Sequence, residues 1–273
     1  MSAVTLSATT STALVACVAV VAFARFERAA VRKWLHECAG SFLVILLCCS
    51  PTAVFGNALG GWADWAAHCA GVVLVDLVGC GPHANPAFTT AALVWGQTAL
   101  DTKSARHKPQ TSALFLGWAV SLAGQLAGGL LGWAVLSALL DAWGEAGPLG
   151  GPALGGNTDY TDALLSEGHG TFLLVWAICC LVFTRVNDVY LLRQSLIGVA
   201  IRLIILLHPT TGPALNPMIA TSYALFRHGT HAVDVAHLGV YWLAACAGAA
   251  AAAFFWEGAL RLRAAPPRSA KTD

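Results

Sequence analysis

Charge is scarce in this sequence. Only 11% of its 273 residues are Asp, Glu, Lys or Arg, and 57% are hydrophobic. A soluble domain carries roughly a quarter charged residues. With a mean hydropathy of +0.68, the composition excludes a soluble globular domain and points to an integral membrane protein. The net charge of +1 gives no argument for a nucleic-acid partner, and none is expected. Catalytic signatures are also missing: there is no G-x-S-x-G, no H-E-x-x-H and no paired-Asp constellation, which argues against an intramembrane enzyme. The nine cysteines form no C-x-x-C pair and all lie in apolar segments, where thiols behave as small hydrophobes. Neither a metal, a disulfide framework nor a cofactor is expected.

What the chain has instead is long apolar runs. Stretches able to cross about 30 Å of hydrocarbon fall near 36–56, 62–80, 111–139, 164–184, 190–207 and 236–256. Two shorter runs, near 86–97 and 217–226, reach only about half-way through a bilayer at 1.5 Å per residue. Another apolar segment, 8–24, precedes them all. It is read as an additional span, the alternative being a helix lying in the interface.

The basic residues orient these spans. Arg25, Arg28, Arg32 and Lys33 precede the first long run, and Lys103, Arg106 and Lys108 follow the first short one. Arg185 and Arg193 flank the link between the fourth and fifth runs, and Arg261, Arg263, Arg268 and Lys271 form the tail. With six full spans and two re-entrant segments, all of these fall on one side. The loop 141–162 has four carboxylates and no Lys or Arg, and it falls on the other. The positive-inside rule then makes the basic side, and the C-terminus, cytoplasmic.

The chain also repeats itself. "ECAGSFLVILLCC" from Glu37 returns as "EGHGTFLLVWAICC" from Glu167, 130 residues on, and Asn85-Pro86 returns as Asn216-Pro217, 131 residues on. Two unrelated features at one offset indicate internal duplication. Three full spans per copy is an odd number, so the copies are inverted and share a site near the midplane.

That inversion explains an Asn-Pro inside each apolar stretch. Each copy sends a short helix part-way in, starting at Asn-Pro, and the two helix N-termini meet at the membrane centre. Irregular backbone at that depth is tolerated only if packed in protein or lining a watery cavity. Each Asn oxygen can cap its own helix, which aims the NH₂ group into the lumen. Pro86 and Pro217 preset the first turns. The two helix dipoles, about half a positive charge each, oppose cations and protons on the path.

Over residues 36 to 257 the chain resembles the major intrinsic protein (aquaporin) family. The first motif matches as Gly81, His83, Asn85-Pro86-Ala87 and Thr89; the second as Thr211-Gly212 and Asn216-Pro217, with Met218 where the family usually has Ala. Glu37 and Glu167 match paired glutamates that hold the re-entrant loops, and Gln125, Trp242 and Gly248 match helix-packing positions. The resemblance implies an all-α membrane protein: an inverted repeat of six transmembrane helices plus two re-entrant half-helices, here with an extra N-terminal apolar helix. Residues 1–34 would be the N-terminal segment and basic linker, 35–257 the channel (repeats 35–140 and 163–257), and 258–273 the basic tail. It further implies a homotetramer in a lipid bilayer, one pore per subunit.

The departures are informative. Ile219 stands where the family's constriction usually has Arg, and counting from the two Asn residues gives Trp65, Ile204 and Pro213 as the other constriction positions. Ala220 replaces the Asp frequent in glycerol-selective members. An apolar residue after a variant second motif, with an extra N-terminal segment, resembles the unorthodox (super-aquaporin) branch, whose members are often on intracellular membranes. The plasma membrane is the other candidate. Asp76 is expected either to cap the loop at Gly79 to Gly81 or to act in function. His83 and His208 are expected to hold loop backbone rather than to gate. Arg202 is expected to snorkel to the cytoplasmic surface, the alternative being a turn toward the pore.

The function implied is a passive channel for water and small uncharged solutes such as glycerol or hydrogen peroxide. The alternative is a structural or adhesion membrane protein with this fold and a pore shut by Met218, Ile219 and Trp65.

Overall fold

The structure is a computed structural model of the full chain, and it describes residues 28–56, 59–98, 110–143, 149–154 and 158–264. The apolar segment 8–24, and most of the tail expected at 258–273, lie outside the described residues.

Every described element is helical. α1 runs Arg28–Val44 and widens into π-type turns at Ile45–Cys49 and Thr52–Gly56. α2 is Gly61–Gly79, α3 Pro86–Val94, α4 Thr111–Trp143, α5 Tyr160–Val182, α6 Tyr190–Leu207 and α7 Pro217–His228. α8 comprises Val235–His237, the wider turns Leu238–Ala244, and Ala245–Ala264. Five of these helices are long and apolar enough to cross a membrane: those of α1, α4, α5, α6 and α8. α2, at 19 residues, is long enough too, but carries Asp64, His68 and Asp76 along its length. The main difference from the sequence reading is α1, which begins at Arg28 and so takes Arg28, Arg32 and Lys33 into its first turns.

Packing follows the inverted repeat. α1 lies along α4, α5 along α8, and α2 against α6. The half-helix α3 packs mainly on α8, and α7 on α4, so each half-helix is held by a long helix of the other copy. Small residues allow the close crossings. A Cβ on Gly128 would stand 2.0 Å from the Cys38 carbonyl oxygen, and one on Gly248 2.0 Å from that of Gly168. Such contacts require backbone to touch backbone, which suits helices whose outer surfaces offer no hydrophobic gain against lipid.

The loops reach the centre from opposite ends. His36 Nε2 donates to the Gly79 carbonyl (2.7 Å), which ties the end of α2 to the basic start of α1. From there residues 80–85 turn inward to α3. At the other end Ala153 N–H donates to Thr211 O (3.3 Å), and residues 208–216 turn inward to α7.

Candidate functional site

The two half-helices begin in the same way. Asn85, in extended conformation, accepts the Ala87 N–H on Oδ1 at 2.8 Å. Asn216 accepts the Met218 N–H at 3.0 Å. Each cap satisfies a helix-start donor that has no intrahelical partner, and Pro at the first helical position has no N–H to satisfy. The NH₂ groups do not simply point into the lumen. Asn85 Nδ2 donates to Leu215 O, and Asn216 Nδ2 donates to Ala84 O, both at 2.9 Å. Each amide gives one N–H to the opposite loop and keeps one more.

Two buried glutamates hold these loops. Glu37 accepts the Ala84 N–H (3.0 Å), the His83 N–H (3.4 Å) and Gln125 Nε2 (2.8 Å). Glu167 accepts Thr211 Oγ1–H (2.8 Å) and the N–H groups of Ala214 and Leu215 (both 2.9 Å). Thr89 completes the first clamp: its hydroxyl donates to Asn85 O and accepts from Gln125. His83 Nδ1 lies 3.2 Å from the same hydroxyl, a side-chain partner on α3 rather than loop backbone. His208 donates from Nδ1 to Ile204 O (3.0 Å) and meets His169 through Nε2 (3.0 Å).

A cavity of about 410 Å³ runs past the junction, lined by Asn85, Asn216, His83 and Ile219 among others. Trp65, Ile204 and Pro213 are not on its wall. Ile204 packs with Leu174 and Leu215 in the core. The wall instead carries His68 and Ile201, each three residues, or about one helical turn, nearer the asparagines than Trp65 and Ile204.

The charged groups resolve differently from expectation. Arg202 forms an ion pair with Asp64, both side chains only 13% exposed. The pair lies at the end of the bundle away from the basic start of α1, so Arg202 neither snorkels to the expected surface nor enters the pore. Its long side chain finds a carboxylate within reach across the α2–α6 contact, and a paired charge is far less costly than a lone one. Asp76 lines the cavity and accepts the Tyr190 hydroxyl (2.8 Å); only its backbone carbonyl serves the loop, accepting the Gly81 N–H.

A family model described as major intrinsic protein matches residues 25–256. The chain belongs to the major intrinsic protein family. It is therefore an integral membrane protein and a channel for water and small solutes. Among solved structures it is similar to an X-ray structure of the aquaglyceroporin from Plasmodium falciparum, at 22% identity and a TM-score of 0.63. That likeness covers 85% of this chain and 97% of the other, and concerns the fold. Among curated protein sequences, none matches the chain.

Within this family member the pore motif departs at Met218, and the structure shows how that residue is housed. Its side chain is fully buried, packed with Ile45, Trp133 and Tyr223. A Cβ on Gly129 would stand 2.5 Å from Met218 Sδ and 2.7 Å from Ser222 Oγ, so the bulk of Met218 is taken up by the missing side chain across from it on α4. Ala87, its counterpart, is equally buried. Neither lines the cavity. Sequence reasoning missed this accommodation because Gly129 lies far from Met218 in the chain; the Gly-Gly pair at 128–129 is the one sign the sequence offers.

Proposed function

We propose that water and small uncharged solutes such as glycerol or hydrogen peroxide cross this protein past the junction of Asn85 and Asn216, in a passage continuous with the cavity. The observation that carries this is the crossed capping of the two half-helices. It fixes both amides, leaves each a free N–H beside the path, and sets two helix N-termini head to head so that cations are opposed. Ile219 supplies the apolar side of the narrowing, while Trp65, Ile204 and Pro213 lie off the cavity wall. Ile219 brings no cation to the narrowing, and Arg202 supplies none there because it is bound to Asp64 off the cavity wall.

The chain works as a homotetramer, one pore per subunit, and belongs to the unorthodox branch. Its channel unit is 35–257, built of repeats 35–140 and 163–257. Its basic tail faces the cytosol, in an intracellular or plasma membrane. The charge asymmetry supports the orientation: tags at 141–162 and after Leu260 must be accessible from opposite sides. The closed-pore alternative draws on the bulk of Met218, Ile219 and Trp65, and of these only Ile219 lies on the cavity wall. Osmotic swelling of liposomes holding the pure protein tests the channel directly. Rates equal to protein-free liposomes for water, glycerol and hydrogen peroxide alike would refute it.

A further inference from the structure

Two arginines stand on the outer face of the first span. On α1, Arg28, Arg32, Leu35 and Ala39 are exposed, and their spacing puts all four on one stripe of the helix. Ala30, Glu37, Gly40 and Ser41 are buried on its other sides. Leu35 is 54% exposed, which suits a side chain that meets lipid. The arginines continue that lipid-facing stripe toward the basic side of the membrane.

Their depth follows from Glu37. Its carboxylate holds the Ala84 N–H at the junction of the half-helices, and that junction lies near the membrane centre. Arg32 precedes Glu37 by about 7 Å along the helix axis, and Arg28 by about 13 Å. Hydrocarbon extends about 15 Å to each side of the centre. Arg32 therefore starts inside the hydrocarbon and Arg28 near its edge, and both side chains have to climb toward the headgroups.

Neither guanidinium has a partner among the described residues. The ion pairs there are His83–Glu37 and Arg202–Asp64. Glu37, the one carboxylate on α1, faces the other way and is bound to the re-entrant loop. An unpaired cation at this depth is costly, and two cations one turn apart repel each other. A single anion held between them relieves both penalties. Lipid phosphate is the anion present at that level of a bilayer, and it matches the donor fork of a guanidinium. In a zwitterionic lipid the phosphate is already offset by its own ammonium group. An anionic lipid leaves its charge for the protein.

We propose that Arg28 and Arg32 together bind the phosphate of an anionic phospholipid in the leaflet on the basic side of the membrane. The site stands whether or not the pore conducts.

Phosphatidylglycerol is the probe, titrated into the purified full chain in mixed micelles with phosphatidylcholine. The rise in melting temperature gives an apparent affinity. Wild type should be stabilised by phosphatidylglycerol and not by phosphatidylcholine alone. Arg28→Gln and Arg32→Gln should each weaken the affinity about tenfold or more, as loss of a charged hydrogen-bond donor does. Arg185→Gln removes an exposed cation outside the site. It should change the affinity by less than about fivefold, the worth of any basic residue near an anionic surface. Effects at Arg28 and Arg32 no larger than at Arg185 overturn the proposal. So does a wild type that responds equally to both lipids, or to neither, as a partner subunit covering the arginines would produce. Equal stabilisation by glycerol phosphate, the same headgroup without tails, overturns the lipid as the ligand. If Arg32→Gln does not fold, Arg28→Gln decides alone: an unchanged affinity overturns the site.

Discussion

Ala84 and Leu215 share the left-handed backbone conformation, with φ +48° and +50°, and each presents its carbonyl to the asparagine of the opposite loop. For a residue with a side chain that conformation costs about 1–2 kcal/mol. The cost recurs at the same place in both repeats, which marks it as part of the site. Glu37 and Glu167 offset it, since each binds the N–H of the strained residue itself. The strain turns each carbonyl across the gap, where a relaxed loop would leave it pointing elsewhere.

The asparagines follow from this geometry. Asn85→Ala removes a cap worth about 1 kcal/mol and a bond to the other loop worth about as much, along with a donor beside the path. Asn216→Ala does the same from the other side. Both variants should lose thermal stability in detergent by similar amounts and conduct less water in liposomes. Wild-type permeability in correctly folded variants of both would sink the assignment.

The two glutamates should not respond equally to amidation. In Glu167 both oxygens accept at 2.8–2.9 Å, so a Gln amide must set its NH₂ against an N–H or O–H. In Glu37 the close bonds gather on one oxygen and the other accepts only the His83 N–H at 3.4 Å, so a Gln oxygen can keep most of them. Glu167→Gln should therefore cost about 1–3 kcal/mol, and Glu37→Gln clearly less. Thermal unfolding of the two purified variants decides it; equal losses would mean that the loops repack around either amide.

Met218→Ala tests where the bulk of that side chain goes. Emptying a buried site beside Gly129 should destabilise the protein by about 2–4 kcal/mol while leaving water permeability near wild type in the folded fraction. A large gain in flux would mean that Met218 obstructs the path after all.

Ile219→Arg adds the cation that the narrowing lacks. Arg202 is held by Asp64 and lies off the cavity wall, so it does not occupy that place, and the new guanidinium brings donors and bulk to the wall. The ratio of water to glycerol permeability should rise. An unchanged ratio with both proteins conducting would show that Ile219 does not border the narrowest section.

How much of this was legible in the sequence depended on whether the partners were named by repetition. The Asn-Pro pair, the two glutamates and their common offset identified the inverted architecture, because duplicated features label each other. The helix starts at Gly61, Tyr190 and Pro217 fell within a residue of expectation, the last because Asn216 caps it and Pro217 presets its first turn. Contacts made by unrepeated residues were not legible. Arg202 was assigned to the wrong end because snorkelling considers one side chain and the lipid, while Asp64 sits more than a hundred residues away. The cavity wall lay one turn from the counted positions, since counting along a helix fixes depth only to about a turn. Trp65 and His68 are equally plausible until the facing helix is known.

The crossed asparagine bonds have a consequence for how such a chain arose. A polypeptide ending after α4 would contain Asn85 with no Leu215 carbonyl to meet it, and an Ala84 carbonyl turned toward nothing. Only a second copy inserted upside down in the same bilayer could complete both. A single-repeat ancestor would thus need to enter the membrane in either direction, with little bias in its flanking charges. Fusing two copies into one gene would lock one of each orientation into every molecule, and the lysines and arginines that orient the present chain could accumulate only afterwards.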